Sequence, residues 1–525
     1  MTDTETAAES DYIVVGGGLT GCAMASLLSK SPQKPSVTLI EAGPDASSNP
    51  AVAGLLSGLS LLSGELDYGY KSEPDPNTAN RVHTLVAGKA LGGGSILNFG
   101  GWSYEGLMPY FQKTEQFHGT DEDATLGDRG IKGPMHIYPV SASQSGKRSY
   151  LLREPINEAH LSSNIPLNLH KPHGNISGLS EFPENTTPSG LRLPSYGAYP
   201  LDAVTVLTST PVHKVLFSTS KKATGVLLAS GRTLTARKEI ILCAGAYRTP
   251  QLLMLSGIGP PDVLSQHSIS LIHPLPHVGA NLHDHFAVYF AFKLRDPSAG
   301  YAFGTQHPAW TPSTMSHLPW DWISTLPVPV HLLSQHTHIP PTRQMYEILT
   351  LYLPPGIPGI PIDGTHIATS TMLLRPTSRG TVSISSASPL QPPVIKTNYL
   401  STPLDLQTLL HAARQTLLIH LSPSSPLSPI IASETPPSNP VPLTPLTPTS
   451  TDKEIEDRIR QTGAQHHHSG GTAAMGTVTD AEGRVYGVEG LRVADASLVP
   501  LPLGGHPQAS LYAVVERVAG MVWGV

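Results

Sequence analysis

The sequence predicts an α/β chain, α+β overall, in which a parallel-sheet domain is joined to a second domain built on its own sheet. Three observations carry this. Residues 12–15, YIVV, form a continuous apolar run of the kind buried on both faces of a parallel sheet, and the run ends in three glycines. A helix follows at once in LTGCAMASLLSK, residues 19–30. A second apolar run, VTLI at 37–40, then stops at Glu41. Strand, glycine turn, helix and strand in this order open a Rossmann-like fold.

The glycine turn reads G-x-G-x-x-G at Gly16, Gly18 and Gly21. Such a turn alone marks only a tight strand-to-helix connection. Here it follows a buried strand and starts a helix whose first amides can face a pyrophosphate, and Glu41 lies about twenty residues on to take a ribose hydroxyl pair. An adenine dinucleotide is expected. The loop by itself does not choose between FAD and NAD, which share the ADP half.

Further along, prolines are concentrated beyond residue 300 and interrupt most periodic patterns. Strand-like runs such as MYEILTLYLP (345–354) and GTVSIS (380–385) predict the second sheet. The Pro and Ser/Thr-rich stretch 421–450 is expected to be a surface loop without regular structure. Thr451 and Glu454 have capping-box spacing and predict a short helix that delivers the chain to GAQHHHSGGTAAMG, residues 463–476.

Composition narrows the function. The chain has 525 residues, 39% of them hydrophobic, enough for two or three core-forming units. Its 33 Lys and Arg against 39 Asp and Glu leave a formal charge of −6 and no basic stripe, which argues against a nucleic-acid partner. Cys22 and Cys243 lie far apart and read as small core residues. The acidic, polar start MTDTETAAES has no secretory pattern, and 51–64 is too short and too rich in Gly and Ser to span a bilayer. A cytoplasmic protein acting on a small molecule, without membrane association, is expected.

Three consecutive histidines do not converge on one ion, because neighbouring side chains diverge along either a strand or a helix. No metal is therefore assigned to His466, His467 and His468.

Four further stretches, with the glycine turn, resemble the glucose-methanol-choline (GMC) family of flavin oxidoreductases, including its fungal secondary-metabolism members. They are GKALGGGSILN (88–98), GAYRTPQLLMLSGIGP (245–260), VGANLHDH (278–285) and LRVADASLVPLPLGGHPQAS (491–510). The resemblance covers both ends and the centre of the chain, leaving about 120–200 and 290–370 without a match. It implies FAD as the cofactor.

Carried over by position, the resemblance implies that Glu41 meets the adenosine ribose and Asn98 the flavin. Val212 would border the adenine, Ala244 and Gly245 the ADP half, and Asp495 and Ala496 the pyrophosphate and flavin. Leu19, Thr20, Ala42, Pro507 and Gln508 accompany these motifs as cofactor contacts. Leu97 stands where some relatives link FAD through a His, so the flavin is expected to be non-covalent. Counting back from Gly471 and Thr472 selects His468 as the catalytic base, with His506 as its hydrogen-bonding partner. Imidazole suits the task because it titrates near working pH. His466 and His467 are expected to be structural or supporting, and His283 and His285 stay unassigned.

The resemblance also implies a domain plan. An FAD-binding domain takes residues 11–139, 201–288 and 456–525, the last carrying the catalytic histidines, and a substrate domain takes 140–200 and 289–455. One departure stands out. Only FGG separates Asn98 from WSYEGLMPYFQKTE, where relatives carry a longer covering segment. The implied function is oxidation of an alcohol to an aldehyde or ketone, on a small aromatic or polyketide-like metabolite, with oxygen or another electron acceptor. The alternatives are a non-redox lyase or cyclase on the same scaffold, or a flavin-binding remnant disabled by the short segment.

Overall fold

The computed structural model describes residues 9–54, 57–93, 104–119, 129–142, 150–169, 175–311, 314 and 317–524. Along the chain the elements that frame the site are β1 (Glu9–Val15), α1 (Leu19–Ser29), β2 (Val37–Ile40), α2 (Tyr104–Thr114), β3 (Gly178–Glu181), β4 (Thr205–Leu207), β5 (Val212–Phe217), β6 (Ala223–Leu228), β7 (Thr233–Leu242) and α3 (Gly245–Leu255). They continue as β8 (Phe286–Leu294), β9 (Trp322–Pro327), β10 (Gln344–Leu351), β11 (His366–Leu373), α4 (Pro403–Leu421), β12 (Ile431–Thr435), α5 (Asp452–Thr462), β13 (Ala464–Gln465), β14 (Leu491–Val493) and α6 (Gln508–Trp523).

The first sheet runs β5-β6-β7-β1-β2-β4, with β14 added against β7. Its centre is parallel, β1 lying between β7 and β2 with Val14 opposite Ile241 and Leu39. All three of these residues are buried completely. α1 and α6 pack together against this sheet, and α6 also meets α2. The core therefore closes around the strand ends from which the glycine turn leaves.

The second sheet is antiparallel, β12-β8-β11-β10-β9-β3, with β13 pairing β8. α4 covers it and shares its apolar core. MYEILTLYLP supplies β10, as its pattern predicts. GTVSIS does not join this sheet: Thr381–Ser383 pairs with Val394–Lys396 in a separate two-stranded ribbon. Alternation alone signals a strand and leaves its partner open.

The stretch 421–450 also departs from the expected surface loop. Ile431–Thr435 is the edge strand β12, pairing Ala291–Leu294 of β8, and Leu427, Ile431, Glu434 and Leu446 are buried. Proline lacks a donor but is tolerated beside a sheet edge, so a proline-rich segment can still place a short proline-free strand there. Buried Arg458 of α5 pairs with Glu434 and donates to the Thr444 carbonyl, fastening the segment. Thr451 and Glu454 form the predicted capping box at the start of α5.

Among the described residues no helix is long and apolar enough to cross a membrane.

Candidate active site

One cavity of about 560 Å³ runs from the glycine turn to the histidines. Gly16, Gly18, Leu19, Thr20, Glu41, Ala42, Val212, Ala244, Gly245, Asp495, Ala496, Pro507 and His468 all line it. These residues come from β1, α1, β2, β5, α3 and the loops around β14, and the parallel sheet brings them together at one edge of its strands.

The glycines explain how the cavity forms. Gly16 has a φ of +101°, and a Cβ there would lie 2.5 Å from the Cys243 carbonyl oxygen. A Cβ on Gly21 would lie 1.8 Å from the Gly16 carbonyl oxygen. Gly21 is thus a packing residue between strand and helix and does not line the cavity. Gly245 has a φ of +78° and would have nothing within 4 Å of a Cβ, so its surface is open to the cavity. α1 is preceded by Gly18 at its N-cap, with no side-chain cap and no acidic residue in its first turn, leaving its amides to a ligand.

The carboxylate of Glu41 accepts from the backbone N–H of Gly17 and of Gly43, each at 2.7 Å. Burial pushes its pKa up, while these amide donors pull it down. Asp495 accepts from the Gly245 N–H at 2.8 Å and from the Thr249 hydroxyl at 2.6 Å, tying the β14 turn to the start of α3. Cavity, glycine cradle and ribose-side carboxylate fit an adenine dinucleotide. Asn98 and Leu97, together with the short FGG stretch after them, lie outside the described residues.

The three histidines of 466–468 go separate ways. His466 stacks on Tyr289, ring centroids 6.2 Å apart, and approaches the Ser370 hydroxyl. His467 has a φ of +62° and opens onto the cavity, its Nδ1 accepting from the Gln465 amide at 2.8 Å. His468 is buried beside His285 and His506, with ring centroids 4.9 Å from each.

Strand register places His285. β13 pairs β8 antiparallel, Phe286 opposite Gln465, and a further antiparallel bridge joins His283 to Gly470. His285 therefore sits across from His468, with Nδ1 to Nδ1 at 2.8 Å. The other nitrogen of His285, Nε2, lies 3.0 Å from the Leu503 carbonyl oxygen. A carbonyl only accepts, so His285 carries its proton on Nε2 and its Nδ1 must accept from the Nδ1–H of His468. Neutral His468 then holds its lone pair on Nε2. Burial first, and then His506, push the His285 pKa down to about 3, so His285 stays neutral. His468 is likewise pushed well below the usual imidazole range, by burial first and then by His285.

Asp284 holds the backbone of the same loop. It accepts from the His468 N–H and from the Ser469 hydroxyl, each at 2.7 Å, and the Ser469 oxygen is in turn bonded to the Tyr247 hydroxyl. Burial pushes the Asp284 pKa up to about 7.

His506 lies outside the cavity lining but beside His468, its Nε2 3.1 Å from a carboxylate oxygen of Glu347 on β10. Phe182 meets the same imidazole edge-on at 5.8 Å, and on another side Phe182 meets the Trp320 ring at 5.6 Å. Gln508 points away, its amide 3.4 Å from Asn185.

Sequence reasoning missed His285, Asp284 and Glu347 as parts of this arrangement. His285 and Asp284 sat in a quoted motif, but nothing in linear order showed that their strand pairs with the histidine run. Glu347 is one acidic residue in an apolar strand, a visible anomaly whose partner the sequence could not name.

Two models described as GMC oxidoreductase match the chain, over residues 10–287 and 376–514. The GMC-type oxidoreductase acuG of Aspergillus aculeatus is 36% identical over 98% of both chains. The oxygen-dependent choline dehydrogenase of Proteus mirabilis is 28% identical, over 98% of this chain and 96% of its own. The solved structure of an Aspergillus oryzae formate oxidase carrying the substitution R554K superposes with a TM-score of 0.86 at 26% identity, covering 98% of each chain.

Proposed function

The chain belongs to the GMC oxidoreductase family and is an FAD-dependent oxidoreductase, and from that premise we propose that it oxidises an alcohol to an aldehyde or ketone. Bound FAD supplies the acceptor for the hydride that leaves the alcohol carbon. The residues lining the cavity from Gly16 to Pro507 would hold it non-covalently, Glu41 and Ala42 serving the ribose, Val212 the adenine, and Asp495 and Ala496 the flavin side.

His468 takes the hydroxyl proton. The observation that carries this role is the 2.8 Å contact between the Nδ1 atoms of His285 and His468, which leaves the His468 lone pair on Nε2. A base must present a lone pair, and a tautomer fixed by a neighbour presents it without rearrangement. His506, held by Glu347, orients the substrate oxygen. The Phe182 ring beside His506, itself packed on Trp320, favours a flat, small aromatic or polyketide-like substrate. Oxygen or another electron acceptor in the cytoplasm would complete the turnover.

Apart from β13 and the first residues of β8, which lie in the second sheet, the strand membership of the two sheets supports dividing the chain into an FAD domain (11–139, 201–288, 456–525) and a substrate domain (140–200, 289–455). Anaerobic mixing with a panel of alcohols tests the reading. A substrate bleaches the flavin in wild type, and His468→Ala slows that bleaching. A panel of primary, secondary and aromatic alcohols that leaves the flavin yellow would overturn it.

A further inference from the structure

Two cations face the cofactor cavity without an acidic partner. Arg248, in the first turn of α3, and Lys89 both line it, and neither forms an ion pair among the described residues. The carboxylates that share the cavity are committed elsewhere, Glu41 to Gly17 and Gly43, and Asp495 to Gly245, Thr249 and Ser497.

Arg248 is also held in one pose. Its Nε donates to the Tyr70 hydroxyl at 2.7 Å, and its Nη1 donates to Gln251 at 2.7 Å and to the Pro389 carbonyl at 2.9 Å. The guanidinium lies 4.9 Å from the Tyr68 ring centroid, and the Lys89 ammonium approaches the same ring at 5.9 Å. The Tyr68 hydroxyl also interacts with the guanidinium, and Nη2 makes no closer hydrogen bond among the described residues. A cation in the first turn of a helix is disfavoured by the helix dipole, and α3 has no acidic residue in that turn to offset it. An unneutralised cation held rigidly in a cofactor cavity is complementary to an anionic group of the cofactor.

We propose that Arg248, assisted by Lys89, neutralises the diphosphate of FAD, presenting Nη2 to it while Tyr70, Gln251 and Pro389 brace the rest of the guanidinium. FAD retention then depends on a charge contact outside the glycine turn, whichever substrate the enzyme oxidises.

The test is calorimetric titration of flavin-stripped full-length protein with FAD, ADP and adenosine at low and high salt. The proteins are wild type, Arg248→Gln, Arg248→Lys and Lys89→Gln. R248Q should weaken FAD and ADP by roughly tenfold or more, the scale of one charge-assisted hydrogen bond to phosphate, and leave adenosine unchanged. It should also flatten the salt dependence of ADP binding. R248K and K89Q should show the same selectivity with smaller losses. Equal losses for ADP and adenosine would mean that the guanidinium stacks on the base, and no loss for either would make it a structural brace. Both results overturn the proposal. If R248Q does not refold without flavin, R248K, which keeps the charge and stem but not the fork, is read by the same criterion.

Discussion

The Nδ1 atoms of His285 and His468 lie 2.8 Å apart, and the Leu503 carbonyl on the far side of His285 decides which of them carries the proton. One backbone acceptor thus sets the tautomer of a residue two hydrogen bonds away. His468→Ala should slow anaerobic flavin reduction by roughly 10²–10⁴-fold, the range for a lost general base, with FAD still bound. His285→Ala should slow it less, because His468 keeps an imidazole but loses its fixed tautomer. Stopped-flow absorbance of the flavin separates the two, and an unimpaired His285→Ala would remove the relay from the mechanism.

Glu347 and His506 form the second contact of the proposed site. Glu347→Gln keeps an acceptor beside the imidazole but removes its charge. We expect flavin reduction to fall by roughly tenfold, as for weakening one charged hydrogen bond, with the flavin-to-protein ratio unchanged. Single-turnover kinetics on the loaded enzyme measure both.

Asp284 links stability to pH. Burial raises its folded-state pKa to about 7, above the ordinary carboxylate value, so between roughly pH 4 and 7 the folded protein binds one proton more than the unfolded chain at this site. Its contribution to stability is therefore full at low pH and is lost as pH rises through 7. Asp284→Asn can still accept from the His468 N–H and hydrogen-bond Ser469, and it removes the titration. The melting temperature of wild type relative to Asp284→Asn should fall as pH rises over this window. A difference independent of pH would refute the assignment.

Non-covalent FAD is expected from Leu97, which stands where some relatives link FAD through a His. Acid precipitation should release yellow flavin into the supernatant. Flavin remaining with the pellet would indicate a covalent link.

Gly21→Ala tests the glycine turn. The added Cβ would fall 1.8 Å from the Gly16 carbonyl oxygen, so α1 must move away from β1. Overpacking of this kind costs about 1–3 kcal/mol, and here it also displaces the helix amides that face the cofactor. Lower thermal stability together with loss of bound flavin is expected, read by scanning calorimetry and by the flavin absorbance ratio.

Local order along the chain determined the first half of this picture. Strand, glycine turn, helix and Glu41 lie within about thirty residues, and the conformations they require are short-range, so the cofactor end of the cavity was legible without a fold. The capping box at Thr451 was legible for the same reason. The counting from Gly471 that picked out His468 located a residue beside the cavity, although distance along the chain carried no account of its chemistry. Tertiary structure decided the rest. Whether His468 presents a lone pair depends on His285, 183 residues away, which reaches it only because β13 pairs β8 in one register. The partner of His506 is Glu347, on a strand 159 residues earlier. The proline-rich stretch became partly a strand because β8 had an edge to offer Ile431–Thr435. Composition and periodicity record what each segment tends to do alone, whereas proton positions and charge pairing arise from groups brought to about 3 Å by long-range packing, and only the folded chain contains those distances.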